Sequence, residues 1–226
     1  VKWYNASKQN DGTYIAEIDT KNHGYNLGTY TAHVYVTDNN GVRKCANGTT
    51  HTIDGYKIMG TSGVSLQQMV KYYNANASYP SFYHNTEASS IEDFCRIYLE
   101  ECAYEGVKAE VAFCQAMKET NWLRYTGDVN IKQYNFAGLG ATGNGASGNY
   151  FESPRIGIRA QIQHLKAYAT TDGLNLACAD PRYEYVIKGS APYVEWLGKY
   201  ENPYRIGWAT AVGYGTNIVT RIKNLK

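Results

Sequence analysis

Glu119 is the residue whose type and position most directly suggest chemistry. The stretch from Ala109 to Gly145 reads AEVAFCQAMKETNWLRYTGDVNIKQYNFAGLGATGNG, and Glu119 lies where a helical pattern gives way to a loop rich in Gly, Asn and aromatic residues. At about 100° per residue, Glu119 points away from the apolar stripe of Val107, Val111 and Cys114 and lies at the edge of the buried face. A carboxylate is disfavoured in the last turn of a helix, where the macrodipole is negative. Glu119 is therefore a candidate functional group, although periodicity alone favours a solvated glutamate at a frayed helix end.

The surroundings of Glu119 favour its neutral form. The helix dipole and the nearby Trp122 and Phe136 all disfavour the ionised carboxylate, so we expect its pKa to be raised. A carboxylic acid that stays protonated near neutral pH is what a glycosidase needs as its general acid. Glu119 is therefore a candidate general acid, with a solvated glutamate at a helix end as the alternative.

Two further carboxylates are candidates for a second catalytic group. Glu152 lies just before Ser153-Pro154, where a helix is predicted to begin, so it can face Glu119 or serve only as a favourable charge beside a helix N-terminus. Both interpretations stay open. Asp128, in the loop between Glu119 and Glu152, is the next candidate for the second catalytic group.

The glycines that follow Glu119 also match a dinucleotide-binding pattern. GLGATG, Gly138 to Gly143, satisfies G-x-G-x-x-G, but that fingerprint needs a helix that opens at the third glycine, and none can begin here before Ser153. We instead expect these glycines to let the backbone approach a polysaccharide, while Tyr134, Asn135 and Phe136 supply stacking and an amide.

The cysteines and histidines suggest no metal site and no cofactor. The five cysteines form no C-x-x-C pair, and the five histidines form no H-E-x-x-H motif. Cys95, Cys102 and Cys114 lie on apolar helix faces and are predicted to be buried free thiols. A Cys-His peptidase remains an open alternative, because such pairs meet only in space.

Two regions in which apolar residues recur with different periods must position the candidate residues. From Val1 to about Asp54 the period is two: GTYTAHVYVTDNNGV predicts a half-buried hairpin that turns at Asn40-Gly41, and Thr13–Thr20 predicts a shorter strand. After Gly55 the period becomes 3.6. The sequence therefore predicts β strands followed by a helical region.

Four helices are predicted in the second region. The first is capped by Ser89 and Glu92 and ends at Glu105-Gly106; the second runs from about Lys108 to Lys118; the third begins at Ser153-Pro154 and continues through Ala169; the last holds Ile218, Val219, Ile222 and Leu225. Between the second and third, Asn121–Glu152 is predicted as loops with short extended pieces such as VNIKQYNF. The expected fold class is α+β: a mainly helical, lysozyme-like domain with a small β lobe, preceded by antiparallel strands.

Composition excludes several function classes. The chain has 226 residues and a formal net charge of +2 without a basic stripe, so no nucleic-acid partner is expected. No apolar run reaches the length of a membrane span, so no membrane insertion is expected. Because the chain opens on Val1 in a strand-like stretch, we take it as part of a longer protein. Its 22 tyrosines suit platforms for sugar rings.

Several ordered blocks resemble the bacterial β-N-acetylglucosaminidases of glycoside hydrolase family 73. They are EGVKAEVAFCQAMKETNWLRY, YNFAGLGATG, FESPRIGIRAQIQHLKAYA and YRIGWATAVGYGTNI, within about Gly55 to Leu225. The resemblance implies Glu119 as general acid and places Glu152 or Tyr214 near the cleft as the second group, with core packing as the alternative for Tyr214. It implies substrate contacts from Trp122, Asp128, Tyr134, Asn135, Phe136, Gly138, Tyr200 and Trp208.

The same resemblance sets expectations for the whole chain. Residues 1–54 look like part of a GBS Bsp-like repeat, and 55–226 are expected to form the catalytic domain. The implied protein is a monomer, secreted and associated with the cell wall, that hydrolyses peptidoglycan glycan strands. The open alternatives are a muramidase or lytic transglycosylase with the same fold, or a non-catalytic protein that only binds cell-wall glycan.

Overall fold

Strands occupy the N-terminal part of the chain and helices the rest, as the change of period predicts. The computed structural model describes residues 1–24, 26–141 and 147–226. Within them, β1 (Ser7–Lys8) pairs antiparallel with β2 (Tyr14–Ile15), and β3 (Gly28–Thr37) pairs antiparallel with β4 (Arg43–Ile53). The predicted hairpin turn is closed by Asp38, whose Oδ1 accepts the N–H groups of Asn40 and Val42 at 2.9 Å.

The strand region differs from the sequence expectation in two details. The predicted strand Thr13–Thr20 is extended and paired only at β2, because the Asp19 side chain caps a 3-10 turn at Thr20–His23. The hairpin is also less buried than its alternation predicts. Val34 and Val36 are 53% and 56% exposed, since no described element covers that end of β3.

Five α-helices form the second region of the described chain. They are α1 (Leu66–Asn74), α2 (Ile91–Glu105), α3 (Ala109–Glu119), α4 (Pro154–Ala169) and α5 (Tyr214–Leu225). None of the described helices is long and apolar enough to cross a membrane. The helical periodicity predicts four of these five but not α1, whose short pattern buries only Met69 and Tyr73.

Local signals account for the helix ends. Ser153 accepts a hydrogen bond from the Ile156 N–H and Pro154 follows it, as predicted for α4. The predicted N-cap of α2 is wrong by one residue, because Ser90 and not Ser89 accepts from the Asp93 N–H. The predicted pairing of Ser89 with Glu92 therefore does not form. Gly106 ends α2 in the left-handed conformation, where a glycine has no steric penalty.

α3 is the centre of the helical core. All residues from Ala109 to Met117 are buried, and the helix packs against α2, α4 and α5. Cys95, Cys102 and Cys114 are free and buried, as predicted. Burial raises the pKa of each of these thiols, so none of them is a reactive nucleophile. Because α3 is held on all sides, the position of its last residue, Glu119, is set by the whole core.

The segment between α3 and α4 wraps over the end of α3. Its described residues, 121–141 and 147–152, contain a 3-10 turn at Ile131–Gln133 and no strand, so the extended pieces predicted in VNIKQYNF are wrong. The reason is side-chain capture of the backbone: Asn130 and Gln133 form a capping box, and Gln133 Nε2 donates to the Ser147 carbonyl at 2.5 Å. The predicted fold class, a mainly helical α+β protein, is confirmed.

Candidate active site

Glu119 is the last residue of α3, and the turn after it is tightly fixed. Thr120 Oγ1 donates to the Ala116 carbonyl at 2.7 Å and accepts from the Leu123 N–H at 2.9 Å. The Ala116 carbonyl also accepts the backbone N–H of Thr120 at 2.9 Å, so the buried Thr120 hydroxyl reinforces the helix end and satisfies an amide of the following loop. The Glu119 carboxylate, beside Thr120, is therefore held at the end of α3.

The backbone after Glu119 is strained. Asn121, Trp122, Leu123 and Tyr125 all have positive φ, between 48° and 61°. Non-glycine residues adopt this left-handed conformation rarely, and each instance costs on the order of 1 kcal/mol. Such strain concentrates at functional sites, where the surrounding structure enforces it. Here it turns the chain sharply, so that the residues after 125 form a wall beside Glu119.

Glu119 lies in a cleft of about 600 Å³. One wall comes from the turn and loop after α3, a second from the glycine loop, and a third from the segment that precedes α5. The lining residues are Glu119, Thr120, Tyr125, Gly127, Asp128, Val129, Asn135, Ala137, Gly138, Ala141, Trp208, Ala209, Thr210 and Ala211.

The cleft walls raise the pKa of Glu119 above its ordinary value. The residue is exposed to the cleft, yet protein atoms surround the carboxylate, so partial desolvation disfavours its charge. A hydrogen bond from Tyr214 and the positive charge of Lys118 lower the pKa, but they do not cancel the desolvation. This direction agrees with the sequence expectation, although the partners that oppose it were not foreseen.

Tyr214 is the residue that holds the Glu119 carboxylate. Its hydroxyl donates to Glu119 Oε1 at 2.5 Å, and its ring is 2% exposed at the first position of α5. Burial raises the pKa of the Tyr214 hydroxyl well above its usual value, which keeps it protonated as a donor. Glu201, itself buried, fixes this end of α5, because its Oε1 accepts the N–H of Gly213 at 2.7 Å.

The second carboxylate oxygen of Glu119 faces the glycine loop. A Cβ placed on Gly138 would lie 3.9 Å from Glu119 Oε2, so this oxygen points toward Gly138. Gly138 itself has φ +65°, which favours glycine. The two oxygens of Glu119 therefore have different surroundings: Oε1 faces a buried hydroxyl, and Oε2 faces the loop that lines the cleft.

Four of the predicted substrate-contacting residues line this cleft: Asp128, Asn135, Gly138 and Trp208. The Asn135 amide is committed to the loop, since Nδ2 donates to the Leu139 carbonyl at 2.8 Å and Oδ1 accepts the Leu139 N–H at 3.0 Å. The Trp208 ring packs edge-on against His164 at 4.7 Å between centroids. His164 in turn contacts Asp180, with Nδ1 2.7 Å from Oδ2, so the indole rests on a buried polar pair.

Three predicted aromatic contacts pack elsewhere. Phe136 is fully buried against Phe94, and Trp122 is 8% exposed and packs against Tyr72, so both rings belong to the core. These positions are corrections to the expected stacking platforms, because an amphipathic or apolar ring near a glycine loop can equally face inward. Tyr134 is partly buried against Phe82, outside the cleft lining.

Tyr200 and Glu152 also lie outside the residues that line the cleft. Tyr200 is 45% exposed, and its carbonyl accepts from Arg205 Nη1 at 2.9 Å. Glu152 is an exposed residue just before the cap of α4. Among the described residues, the carboxylate that shares the cleft with Glu119 is Asp128.

Gln115 is a buried residue beside the site that the sequence patterns did not indicate. Gln115 Nε2 donates to the Tyr214 hydroxyl oxygen at 3.1 Å, and Gln115 is fully buried. Its position four residues before Glu119 places both side chains on one face of α3, which is a signal that could have been used. Tyr125 and the segment Ala209–Ala211 were also missed, and no local pattern distinguishes them as cleft residues.

A second hollow lies at the opposite end of α3. It has a volume of about 490 Å³, and its lining includes Lys57, Lys108, Tyr193 and Trp196. Its one described carboxylate is Asp54. The carboxyl group whose pKa is raised therefore lies in the other cleft, at Glu119.

Comparison with known proteins agrees with this geometry. A family model described as "Mannosyl-glycoprotein endo-beta-N-acetylglucosaminidase" matches residues 95–226, and one described as "GBS Bsp-like repeat" matches residues 1–51. An uncharacterized protein of Borreliella burgdorferi is 38% identical over 145 residues, covering 63% of this chain and 68% of that protein. No solved structure matches the chain. Since the first family model spans more than half of the chain and includes α3, Glu119 and Tyr214, the chain belongs to this endo-β-N-acetylglucosaminidase family of glycoside hydrolases.

Proposed function

We propose that this protein is a peptidoglycan hydrolase, an endo-β-N-acetylglucosaminidase of glycoside hydrolase family 73, with Glu119 as its general acid. The observation that carries the proposal is a single carboxylate of raised pKa on the floor of an open cleft, hydrogen-bonded by a buried tyrosine, in a chain of this glycosidase family. The bond that it cleaves is the β-1,4 linkage on the reducing side of N-acetylglucosamine.

The geometry supports proton donation from Glu119 Oε2. Oε1 accepts the Tyr214 hydrogen bond, so the proton of the neutral acid resides on Oε2, on the side of Gly138. Oε2 gives this proton to the glycosidic oxygen as the bond to the anomeric carbon breaks. Tyr214 orients the acid and stays protonated.

The attacking group is water or the acetamido oxygen of the substrate. Direct attack by water on the anomeric carbon needs a base, whereas acetamido attack forms a ring that water then opens. Asp128 lines the Glu119 cleft, which supports it as the group that orients the attacking oxygen. Glu152, exposed outside that lining, is the alternative partner.

The proposed bond determines which sugar of peptidoglycan lies on each side of Glu119. N-acetylglucosamine occupies the subsite on the non-reducing side of Glu119, with Trp208 and Asn135 in its walls. The lactyl ether of N-acetylmuramic acid is directed to the leaving-group side, beside the loop Gly138 to Gly148. Residues 142–146 of that loop, with part of the GLGATG stretch, lie outside the described residues. We further propose that the protein acts outside the cell as a monomer, with the GBS Bsp-like region beside the catalytic domain.

Product analysis tests the bond specificity. Purified peptidoglycan is digested, reduced with borohydride and analysed by mass spectrometry, and N-acetylglucosaminitol is expected at the new ends. Reduced muramic acid ends would indicate a muramidase, and 1,6-anhydro ends a lytic transglycosylase. A high-mannose glycopeptide serves as a second substrate, because the family description names mannosyl-glycoproteins.

Turbidity of a cell-wall suspension separates an enzyme from a binding protein. The wild-type protein should clear the suspension, and Glu119→Gln should bind the walls without clearing them. Binding without clearance by the wild type would contradict the proposed hydrolysis.

A further inference from the structure

A chain of buried hydrogen bonds runs from the core to Glu119. Tyr98 on α2 donates to Gln161 Oε1 on α4 at 2.7 Å, and Gln161 Nε2 donates to Gln115 Oε1 on α3 at 2.9 Å. Gln115 Nε2 donates to the Tyr214 hydroxyl oxygen at 3.1 Å, and that hydroxyl donates to Glu119 Oε1. Tyr98, Gln161 and Gln115 are each fully buried. Two buried glutamines are costly unless bonded, so their arrangement needs an explanation.

The direction of every bond in this chain is determined. Gln161 Nε2 also donates to the Ala112 carbonyl at 2.9 Å, and a carbonyl only accepts, so the amide of Gln161 cannot be flipped. Gln161 therefore presents an N–H to Gln115, which turns the oxygen of Gln115 toward it and the Gln115 NH₂ group toward Tyr214. Because the Tyr214 oxygen accepts from Gln115, its own proton points to Glu119.

We infer that Gln115 and Gln161 are positioning residues that hold the Tyr214 hydroxyl as a donor to Glu119 Oε1, so that the acid proton is kept on Oε2, facing the cleft. The inference rests on the proposed role of Glu119 as the acid. Without Gln115, neutral Glu119 can place its proton on Oε1 and donate it to the free lone pair of Tyr214. That tautomer holds the proton on the buried side of the carboxyl group, away from the leaving oxygen.

The chain also polarises the Tyr214 hydroxyl. Successive hydrogen bonds that point the same way strengthen one another, so donation from Gln115 makes Tyr214 a better donor to the carboxylate. Loss of Gln115 weakens this donation and admits the unproductive neutral tautomer. Both effects favour neutral Glu119, so both raise its pKa.

Other polar and charged groups near Glu119 do not replace this control. Lys118 on α3 lies with Nζ 4.9 Å from the Tyr214 ring centroid, and Asp128 and Tyr125 line the same cleft. None of these three is hydrogen-bonded to Glu119 in the described structure. The Tyr214 hydroxyl is the group through which the core acts on Oε1.

The test compares Gln115→Met and Gln161→Met with Gln163→Met as a matched control. Gln163 is also fully buried and lies on α4; it donates to Glu105 and Ala177 and accepts from Ala179, with no link to Glu119. On cell walls, Gln115→Met should lower kcat about tenfold with KM unchanged, while the alkaline limb of its kcat profile moves to higher pH. Gln161→Met should shift the limb in the same direction by less, and the control should leave it in place.

A direct titration separates this inference from the proposed function. The 226-residue chain and its variants are labelled with [δ-¹³C]glutamate, the Glu119 resonance is assigned by its loss in Glu119→Gln, and its pH titration is followed by NMR. The Glu119 midpoint should rise in Gln115→Met and Gln161→Met and stay unchanged in Gln163→Met. This measurement needs no substrate, so it stands even if the wild type fails to cut walls, a result that would overturn only the proposed function.

Two outcomes overturn the inference. One is an unchanged Glu119 midpoint in both Gln115→Met and Gln161→Met. The other is an equal shift in Gln163→Met, which would show that general loosening of the core is responsible. If Gln115→Met does not fold, Gln161→Met carries the test, because it leaves Gln115 and Tyr214 in place and removes the group that orients the Gln115 amide. It also removes the hydrogen-bond partner of Tyr98 and of the Ala112 carbonyl, and Gln163→Met controls for such a loss of buried hydrogen bonds.

Discussion

Gln115 and Glu119 lie one helical turn apart on α3 and share the same hydroxyl, that of Tyr214, which accepts from Gln115 at 3.1 Å and donates to Glu119 at 2.5 Å. The Gln115 amide is thus the donor to the Tyr214 hydroxyl oxygen, and the Glu119 carboxylate is the acceptor of the Tyr214 proton. The arrangement explains how a carboxylate at a helix C-terminus, an unfavourable place for negative charge, is held in a fixed orientation.

Replacement of the proposed acid is the first prediction. Glu119→Gln should lower the rate of wall hydrolysis by roughly 10² to 10⁴, because acid catalysis contributes about that much. The fold should survive, since the introduced amide keeps an oxygen that can accept from Tyr214 and the side chain is exposed to the cleft. Turbidity assays measure the rate and thermal unfolding checks the fold. Near wild-type lysis would show that Glu119 is not the acid.

Removal of the Tyr214 hydroxyl should change the pH dependence. The hydrogen bond from Tyr214 lowers the pKa of Glu119 against the larger effect of desolvation, so Tyr214→Phe should raise that pKa further. A general acid works in its protonated form, and activity is lost as pH rises through its pKa. The alkaline limb of the kcat profile should therefore move to higher pH, while kcat at the optimum falls roughly ten- to a hundredfold. A limb that stays in place or moves to lower pH would contradict this account.

The second carboxylate can be identified by a pair of matched substitutions. Asp128 lines the cleft and Glu152 does not, so Asp128→Asn should reduce kcat more than Glu152→Gln does. We expect about a tenfold or greater difference between the two variants if Asp128 orients the attacking group. Initial rates on the same wall preparation measure it. The reverse order would assign the role to Glu152.

Modularity of the chain gives a fourth prediction. Among the described strands, β1 pairs with β2 and β3 pairs with β4, and the first described α-helix begins at Leu66. A fragment from Gly55 to Lys226 should therefore fold and keep its activity on soluble glycan. Circular dichroism and chitooligosaccharide hydrolysis test this. Unfolding on truncation would show that the strands complete the catalytic core, which is the competing view of the boundary near Asp54.

Close packing of α4 predicts an intolerant glycine. A Cβ on Gly157 would overlap the backbone carbonyl oxygen of Tyr134, so Gly157→Ala must push α4 away from the loop that carries Asn135. We expect destabilisation of about 1 to 3 kcal/mol, measured by urea unfolding. Gly173→Ala is the control, because nothing lies within 4 Å of its added Cβ, and it should be neutral. Equal stability of the two variants would argue against the close contact.

Local signals account for what could be predicted from the sequence. The Ser153-Pro154 start of α4, the Gly106 end of α2 and the hairpin turn at Asn40-Gly41 all depend on residues within a few positions of one another. The predicted start of α2 was wrong by one residue: Ser90 rather than Ser89 is the N-cap, and both serines precede the same helix. The position of Glu119 at the end of α3 follows from the same local pattern.

The sequence by itself determined the order of strands and helices, the fold class and the helix end at which Glu119 lies, because caps, turns and periodicity act over a few residues. The tertiary structure alone decided which groups meet there. Tyr214 contacts Glu119 across 95 positions of the chain and Gln161 contacts Gln115 across 46, and Phe136 faces the core while Asp128 faces the cleft. Such choices depend on how α3 packs against α4 and α5, and no short-range pattern encodes that packing.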